Sequence, residues 1–214
     1  MPDKHLVALE VQAIKKQLSP GKLLDVGCGE GENTRKFSQI KGIKIIGVDF
    51  AQNRVKLARK ECPNVKFIEA DLTKPLNLGK FHYIVSQRFL INLPNWNQQK
   101  KVIHNLKKHL KPQGKLILCE GSIQGVKSLN DLRGKFKLEP IPICWHNVFI
   151  DDSNLIKKGF KLVDDFSGYF LFTRVARPFF DKDLNWNCTF NRFARDISLP
   201  IGCSRQKVWL FINR

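Results

Sequence analysis

The stretch LLDVGCGEGENT at residues 23–34 decides the fold of this chain. Its apolar start, at residues 23–26, is typical of a buried strand, and the glycines that follow are typical of a turn. Gly27 and Gly29 allow the backbone to approach a ligand closely, and a helix predicted over 32–40 would present free N–H groups there. The stretch therefore predicts a strand, a ligand-binding turn and a helix.

Strands and helices are predicted to alternate along the rest of the chain. A helix is expected before residue 19, and a long helix after Pro94 is expected to run to Leu110 and stop at Pro112-Gln113-Gly114. Residues 122–150 and 174–206 are expected to be irregular insertions that cap the sheet. The predicted strands after the first are 43–48, 65–70, 81–86, 115–120, 160–165 and 207–213, and further helices are predicted at 52–62 and 154–159.

This alternation predicts a Rossmann-like, doubly wound α/β fold. Strands separated by helices at intervals of about 20–30 residues indicate a mostly parallel sheet with helices on both faces and right-handed crossovers. Seven strands are expected, with the C-terminal insertions above the carboxyl edge of the sheet, where ligands bind in such folds.

Acidic residues follow the first three predicted strands. Asp25, Asp49 and Asp71 each lie at or near a carboxyl end, and a carboxylate at the end of the second strand can accept hydrogen bonds from both ribose hydroxyls. Glu32 stands where a nicotinamide dinucleotide fingerprint has its third glycine, and together with Glu30 it disfavours a pyrophosphate. The acids predict a nucleoside ligand that is uncharged or cationic near the turn.

The charge balance points towards a different partner. The chain has 37 Lys and Arg against 19 Asp and Glu, a formal net charge of +18, which is typical of proteins that bind nucleic acid. The excess is spread, with 22 basic and 10 acidic residues up to position 120 and 15 and 9 beyond it. Most of the basic residues are lysines, which favours a solvated surface. An anionic acceptor and a nucleic acid both stay open as partners.

These motifs resemble the class I S-adenosylmethionine-dependent methyltransferase family, in a bacterial group that acts on small-molecule or glycan-type acceptors. The resemblance covers about residues 20–121. It is carried by LLDVGCGEGENT (23–34), IIGVDF (45–50), FIEADL (67–72), FHYIVSQRFLINL (81–93) and LKPQGKLILCEG (110–121). It implies one methyltransferase domain over 1–214, with a cofactor-binding half at 1–121 and a substrate-side half at 122–214.

The resemblance also implies which residues bind S-adenosylmethionine, with no metal ion. The glycine-rich turn would shape the methionine end, the second strand would hold the ribose and the third would meet the adenine, while the end of the fourth would lie near the methionine moiety. The residues of the turn are Asp25, Gly27, Cys28 and Gly29, and those after the second strand are Asp49 and Phe50. The adenine would contact Asp71 and Leu72, and the residues at the end of the fourth strand are Ser86 and Gln87.

Candidate catalytic residues are few, because methyl transfer depends mainly on alignment of the acceptor. His146 has a side chain suited to a general base, Glu120 ends the fifth strand, and Arg88 could orient an anionic acceptor. Packing or capping roles are alternatives for all three. RNA methylation and non-catalytic nucleoside binding remain alternative functions, although Ser86-Gln87-Arg88-Phe89 differs from the Pro-Pro-aromatic motif used on exocyclic base nitrogens.

The cysteines and the N-terminal segment indicate the cellular compartment of the protein. The six cysteines form no Cys-x-x-Cys pair, and charged residues interrupt the apolar residues of the N-terminal segment. A cytoplasmic protein without a membrane span is therefore expected. The oligomeric state and the identity of the acceptor are not determined by the sequence.

Overall fold

The structure is a computed structural model that describes residues 3–181, 185–199 and 201–214. Seven strands form one sheet in the order β3-β2-β1-β4-β5-β7-β6. The first five strands are parallel, and β7 is antiparallel to both of its neighbours. The strands are β1 (Gly21–Val26), β2 (Ile43–Asp49), β3 (Lys66–Glu69), β4 (Phe81–Gln87), β5 (Leu110–Gly121), β6 (Lys161–Asp165) and β7 (Gln206–Ile212). The predicted doubly wound, seven-stranded architecture is confirmed.

Helices cover both faces of this sheet. They are α1 (Lys4–Lys15), α2 (Glu32–Ser38), α3 (Gln52–Glu61), α4 (Trp96–Lys108), α5 (Ile123–Lys135), α6 (Asp152–Ile156), α7 (Ser167–Phe170) and α8 (Thr189–Ala194). A 3₁₀ turn occupies Leu90–Asn92, a π-helical segment occupies Leu171–Ala176, and a second 3₁₀ turn occupies Arg177–Phe179. No helix in the described ranges is long and apolar enough to cross a membrane.

The apolar run of β1 is continuous because both of its faces are covered. Leu23 packs in a core cluster with residues of α1 and α5, whereas Leu24 packs in the opposite cluster with residues of α4. Both side chains are fully buried. Successive strand residues point to opposite faces, so a parallel sheet buried on both sides needs apolar residues at consecutive positions.

Several predicted boundaries are wrong, including those of α6, which spans Asp152–Ile156 where 154–159 was predicted. Helix α1 ends at Lys15, and residues up to Leu18 continue only as turns. Helix α4 ends at Lys108, and residues 110–114 belong to β5, with Gln113 in the left-handed region at φ 59°. The apolar residue Leu110 fitted the helical stripe, but it pairs with Phe81 of β4. Tertiary pairing with a neighbouring strand outweighs local periodicity here.

The predicted irregular insertion at 122–150 begins with the regular helix α5. Ser122 caps this helix through its side-chain oxygen, which accepts a hydrogen bond from the amide of Gly125. Leu129 of the helix is fully buried in the core. Only residues 136–150 lack regular structure. The predicted insertion at 174–206 contains α8, and its residues 182–184 and 200 lie outside the described residues.

Candidate active site

A cavity of about 800 Å³ opens at the carboxyl edge of the sheet. Its lining residues follow four adjacent strands, β1 to β4, and the strand order reverses between β1 and β4. Ligands of doubly wound folds bind at such a point of reversal, and pockets of ~300–1,000 Å³ hold small organic ligands. The cavity is therefore the candidate active site.

The glycine-rich turn forms the floor of this cavity at Gly27. The amides of Gly27 and Cys28 both donate to the carbonyl oxygen of Val48, at 2.8 and 3.1 Å, which ties the turn to β2. Gly27 has φ 69°, and a Cβ atom added there would lie 2.4 Å from Cβ of Phe89. Both the backbone conformation and the close approach of Phe89 thus require glycine at this position.

Asp49 presents its carboxylate to the cavity from the end of β2. Its Oδ2 accepts a hydrogen bond from the amide of Gly29 at 2.9 Å, and its Oδ1 accepts one from the amide of Ala51 at 3.0 Å. The residue is 5% exposed and lines the cavity. Each carboxylate oxygen can accept a second hydrogen bond, so the oriented side chain can accept both hydroxyls of a vicinal diol.

Residues after β2 and β3 supply apolar surface beside this carboxylate. Phe50 is 72% exposed and Leu72 is buried, and both line the cavity. The side chain of Asp71 accepts hydrogen bonds from the hydroxyl and the amide of Thr73, at 2.6 and 2.9 Å, which hold the pKa of that carboxyl below its usual range. The site can therefore accommodate a planar base between apolar side chains, next to an ionised carboxylate.

Asp25 lies beneath the cavity and does not line it. It is buried, and its Oδ2 accepts a hydrogen bond of 2.6 Å from the hydroxyl of Thr34 in α2. Burial raises the pKa of Asp25 to about 7, against the lowering effect of the Thr34 hydrogen bond, and the charge of Asp49 raises it further. The residue joins β1 to the first turn of α2 directly under the glycine-rich turn.

Four other predicted cofactor residues also lie outside the cavity lining, and one of them, Gly29, contributes the amide that donates to Asp49. Cys28 is partly buried, and burial raises the pKa of its thiol. Ser86 is fully buried and donates to Glu120 at 2.7 Å. The side chain of Gln87 donates to Glu10 at 2.8 Å and accepts from Asn33 at 3.1 Å. In this structure Ser86 and Gln87 support the neighbouring elements through these side-chain bonds.

Glu120 holds the turn that follows β4. Besides the Ser86 hydroxyl, its carboxylate accepts hydrogen bonds from the amides of Phe89, Leu90 and Ile91, at 3.0–3.3 Å. Burial raises the pKa of Glu120 to about 7, against the lowering effect of these hydrogen bonds. It does not line the cavity. Its donors are the amides of a turn whose neighbours do line it, so Glu120 fixes the backbone beside the cavity.

Arg88 lines the cavity at the end of β4. Its φ of 53° lies in the left-handed region, which is uncommon for a residue other than glycine. The guanidinium donates to Oε1 of the fully buried Glu10, with Nη2 at 2.6 Å and Nε at 3.0 Å. Helix α1 therefore orients the one predicted catalytic side chain that reaches the cavity.

His146 lies at the surface, outside the cavity lining. Its ring makes an edge contact with Trp145 at 5.3 Å, and Trp145 is 96% exposed. The next residue, Asn147, donates to the side chain of Asn92 at 3.0 Å. Since Asn92 lines the cavity, the loop that carries His146 is attached near the cavity mouth.

Several cavity residues were missed by sequence reasoning. They are apolar, small, polar or charged side chains that belong to no recognised motif, and their position follows from the strand ends. They are Ala51, Arg54, Glu69, Ala70, Thr73, Phe89, Asn92 and Leu93. Within the described ranges, no three His, Cys, Asp or Glu side chains are grouped so that they could hold a metal ion.

Comparison with known proteins agrees with this geometry. Residues 23–114 match the model of a methyltransferase domain. This segment, somewhat less than half of the chain, is therefore similar to methyltransferase domains. A demethylmenaquinone methyltransferase of Chlorobaculum tepidum is 29% identical over 125 residues, which cover 56% of this chain and 50% of that protein. The chain thus spans about half the length of the curated relatives it matches.

Two solved methyltransferase structures match over nearly the whole chain. A TehB-like S-adenosylmethionine-dependent methyltransferase from Corynebacterium glutamicum has a TM-score of 0.60 at 15% identity, covering 99% of this chain and 94% of that one. The N-methyltransferase NodS from Bradyrhizobium japonicum, in complex with S-adenosylhomocysteine, has a TM-score of 0.59 at 13% identity, covering 99% and 86%. At these identities the likeness concerns the fold.

Proposed function

We propose that this protein transfers a methyl group from S-adenosylmethionine to a small-molecule or sugar-containing acceptor. The observation that carries the proposal is Asp49, whose carboxylate is oriented by two backbone amides and lines a cavity of nucleoside size. The match of residues 23–114 to a methyltransferase domain supports it. The names of the relatives include methyltransferases of small molecules, among them the demethylmenaquinone and trans-aconitate enzymes.

The cofactor would lie along the ends of β1, β2 and β3. Asp49 would accept the ribose hydroxyls, while Phe50, Asp71 and Leu72 would surround the adenine. Gly27 would admit the methionine end, supported from below by Asp25, Cys28 and Gly29. Ser86 and Gln87 would act indirectly, through their hydrogen bonds to Glu120 and Glu10.

The reaction is an in-line displacement at the methyl carbon of a sulfonium. The acceptor atom forms a bond to that carbon while the carbon–sulfur bond breaks, and S-adenosylhomocysteine leaves as a neutral thioether. Alignment of the two reactants supplies most of the acceleration, and a base is needed only where the acceptor must lose a proton. In this proposal Arg88 orients the acceptor, Glu120 positions the 89–91 turn, and His146 is the candidate base if the loop at 144–147 closes over the cavity.

The substrate-side half would be formed by residues 122–214. The segment at 144–148 is joined to the turn after β4 by the Asn147–Asn92 hydrogen bond and by the amide of Val148, which donates to the carbonyl of Ile91 at 2.7 Å. The chain after β5 therefore reaches the same edge of the sheet as the cofactor residues. Together with residues 1–121, it would make one methyltransferase domain.

Calorimetric titration with S-adenosylmethionine and S-adenosylhomocysteine tests cofactor binding. We expect Asp49→Ala to weaken binding of both at least about 100-fold, because hydrogen bonds to a charged group contribute ~1.5–3 kcal/mol each. Asp131→Ala, which removes an exposed carboxylate on α5, serves as the matched control. Failure of the unaltered protein to bind either ligand, or equal binding by Asp49→Ala, would contradict the proposal.

Incubation with methyl-labelled cofactor and a metabolite extract tests turnover and identifies the acceptor by mass spectrometry. RNA is the second candidate acceptor, supported by the net charge of +18. Phosphate contacts make RNA binding strongly dependent on salt through counterion release. Turnover on an extracted small molecule that changes little between ~50 and 200 mM salt would favour the small-molecule acceptor.

A further inference from the structure

Two arginines start from neighbouring points at the carboxyl edge of the sheet. The amide of Arg88, after β4, donates to the carbonyl oxygen of Cys119 at 2.9 Å. The side chain of Gln206, the first residue of β7, donates to the same oxygen at 3.2 Å. Arg205 directly precedes Gln206, and its carbonyl accepts from the amide of Ser122 at 2.9 Å. The fold therefore brings Arg205 to the edge that holds Arg88.

The side chain of Arg205 lies over an apolar surface. Its guanidinium carbon is 5.2 Å from the ring centroid of Phe149. Phe149 is buried in a small apolar cluster with Ile91 and Val126. Ile91 belongs to the turn that continues from Arg88 and whose neighbours line the cavity. Arg205 does not line the cavity itself, but it lies beside apolar side chains that include Ile91 of the adjoining turn.

The charges around Arg205 do not balance. Arg88 is paired with Glu10 and Arg174 with Asp3, each at 2.6 Å. Arg205 makes no side-chain hydrogen bond or ion pair with any residue in the described part of the chain. Burial lowers the pKa of Arg205, and the charges of Arg88 and Arg174 lower it further, against the raising effects of Cys144 and Glu10. Of these three guanidinium groups, Arg205 is therefore the one without a carboxylate partner among the described residues.

A hydrogen-bond donor is also in excess within this group. Arg174 is 9% exposed, and its Nη1 is buried without a hydrogen-bond partner among the described residues. A buried donor without an acceptor is costly, and functional sites retain such groups where a ligand completes them. The Arg174 guanidinium also stacks on the ring of Trp186 at 3.8 Å, so the guanidinium of Arg205, which lacks a carboxylate partner among the described residues, is the one that favours an added anion.

We propose that Arg205, together with Arg88, binds a carboxylate of the methyl acceptor, and that the acceptor is a monocarboxylate whose apolar part packs against Phe149 and Ile91. One carboxylate would give Arg205 the partner that it lacks, and the planar guanidinium binds a carboxylate through two parallel hydrogen bonds. A phosphate dianion would leave one negative charge uncompensated. The inference deepens the proposed function and rests on it for the methyl transfer.

Thermal unfolding with benzoate as a probe tests the subsite without any turnover. At constant ionic strength we expect benzoate to raise the Tm of the wild type and of Arg192→Gln, but not that of Arg205→Gln. Arg192 is the matched control, because it is exposed on α8 and its side chain lies against the ring of Phe193. Equal shifts in all three proteins, or no shift in the wild type, would overturn the subsite. A larger shift with inorganic phosphate than with benzoate would overturn the choice of a carboxylate.

The free protein offers a second readout that does not depend on a probe. Because Arg205 is a charge without a partner, Arg205→Gln should unfold at a Tm equal to or a few degrees above that of the wild type. Arg205→Lys keeps the charge and should retain part of the benzoate shift. If Arg205→Gln fails to fold, as judged by circular dichroism, this arginine is structural and the proposal is wrong.

Measurements of turnover distinguish a failure of the proposed subsite from a failure of the proposed function. We expect Arg205→Gln to lower kcat/KM for the extracted acceptor about 10–100-fold, mainly through KM, while calorimetry shows unchanged affinity for S-adenosylmethionine. Esterification of carboxylates in the extract should abolish the acceptor activity, and phosphatase treatment should not. If neither esterification nor Arg205→Gln changes the amount of methylated product that forms, the subsite is wrong and the proposed function stands. Absence of cofactor binding in the wild type would overturn the proposed function instead.

Discussion

Glu10 and Arg88 form an ion pair that joins the first helix to the edge of the cavity, with Oε1 and Nη2 2.6 Å apart. Glu10 is fully buried, and it also accepts a hydrogen bond from Gln87. The pair explains how Arg88 is held with a left-handed backbone at the end of β4. Helix α1 precedes the segment that matches the methyltransferase domain, yet it contributes to the geometry of the candidate site.

Glu10→Gln should destabilise the protein by about 2 kcal/mol, because it leaves the charge of Arg88 without its partner. Chemical denaturation measures this loss. Glu61→Gln, at the exposed end of α3, is the control and should change stability by less than about 0.5 kcal/mol. Equal stability of Glu10→Gln and the wild type would show that the pair contributes nothing.

Gly27→Ala should be more damaging than Gly29→Ala. Both glycines have positive φ, at 69° and 55°, so both substitutions introduce similar backbone strain. A Cβ atom at Gly27 would also collide with Phe89, whereas one at Gly29 would meet nothing within 4 Å. We expect Gly27→Ala to lose more stability and to bind S-adenosylhomocysteine more weakly. Identical effects in denaturation and calorimetry would contradict the steric argument.

The pKa of Asp25 predicts a pH dependence of stability. Burial raises this pKa from 3.8 to about 7, so between these values the folded state binds more protons than the unfolded state. The contribution of Asp25 to stability is therefore fully present below pH 3.8 and is lost as the pH rises through 7. Compared with Asp25→Asn, the wild type should lose up to about 1.4 kcal/mol of unfolding free energy per pH unit in this window. Parallel pH profiles for the two proteins would contradict this assignment.

Glu120→Gln should loosen the turn after β4. An amide side chain can accept through one oxygen only, whereas the Glu120 carboxylate accepts hydrogen bonds through both of its oxygens. We expect a loss of about 1–3 kcal/mol in stability and weaker cofactor binding, because Phe89 packs against Gly27. If Glu120 were instead the catalytic base, the substitution would abolish turnover while leaving cofactor affinity and stability unchanged.

Much of the sheet was predictable because its strands are short apolar runs bounded by glycine, proline or acidic residues. Such a pattern indicates a buried strand wherever it occurs, as at Leu23–Val26. The helix α5 was not predicted, because its surroundings are rich in proline and aromatic residues and its only start signal is the cap residue Ser122. Leu110 was assigned to the wrong element, because a single apolar residue fits both a helical stripe and a strand.

The sequence alone determined the parallel sheet, the glycine-rich turn and the acids at the strand ends, because each depends on residues that are close together in the chain. Only the tertiary structure decided that Glu10 orients Arg88, that Glu120 binds the amides after β4, and that Arg205 stands beside them. These contacts join residues from separate strands and helices. Packing of the sheet brings together charged groups and hydrogen-bond donors that are far apart in the chain. No local sequence pattern predicts such contacts.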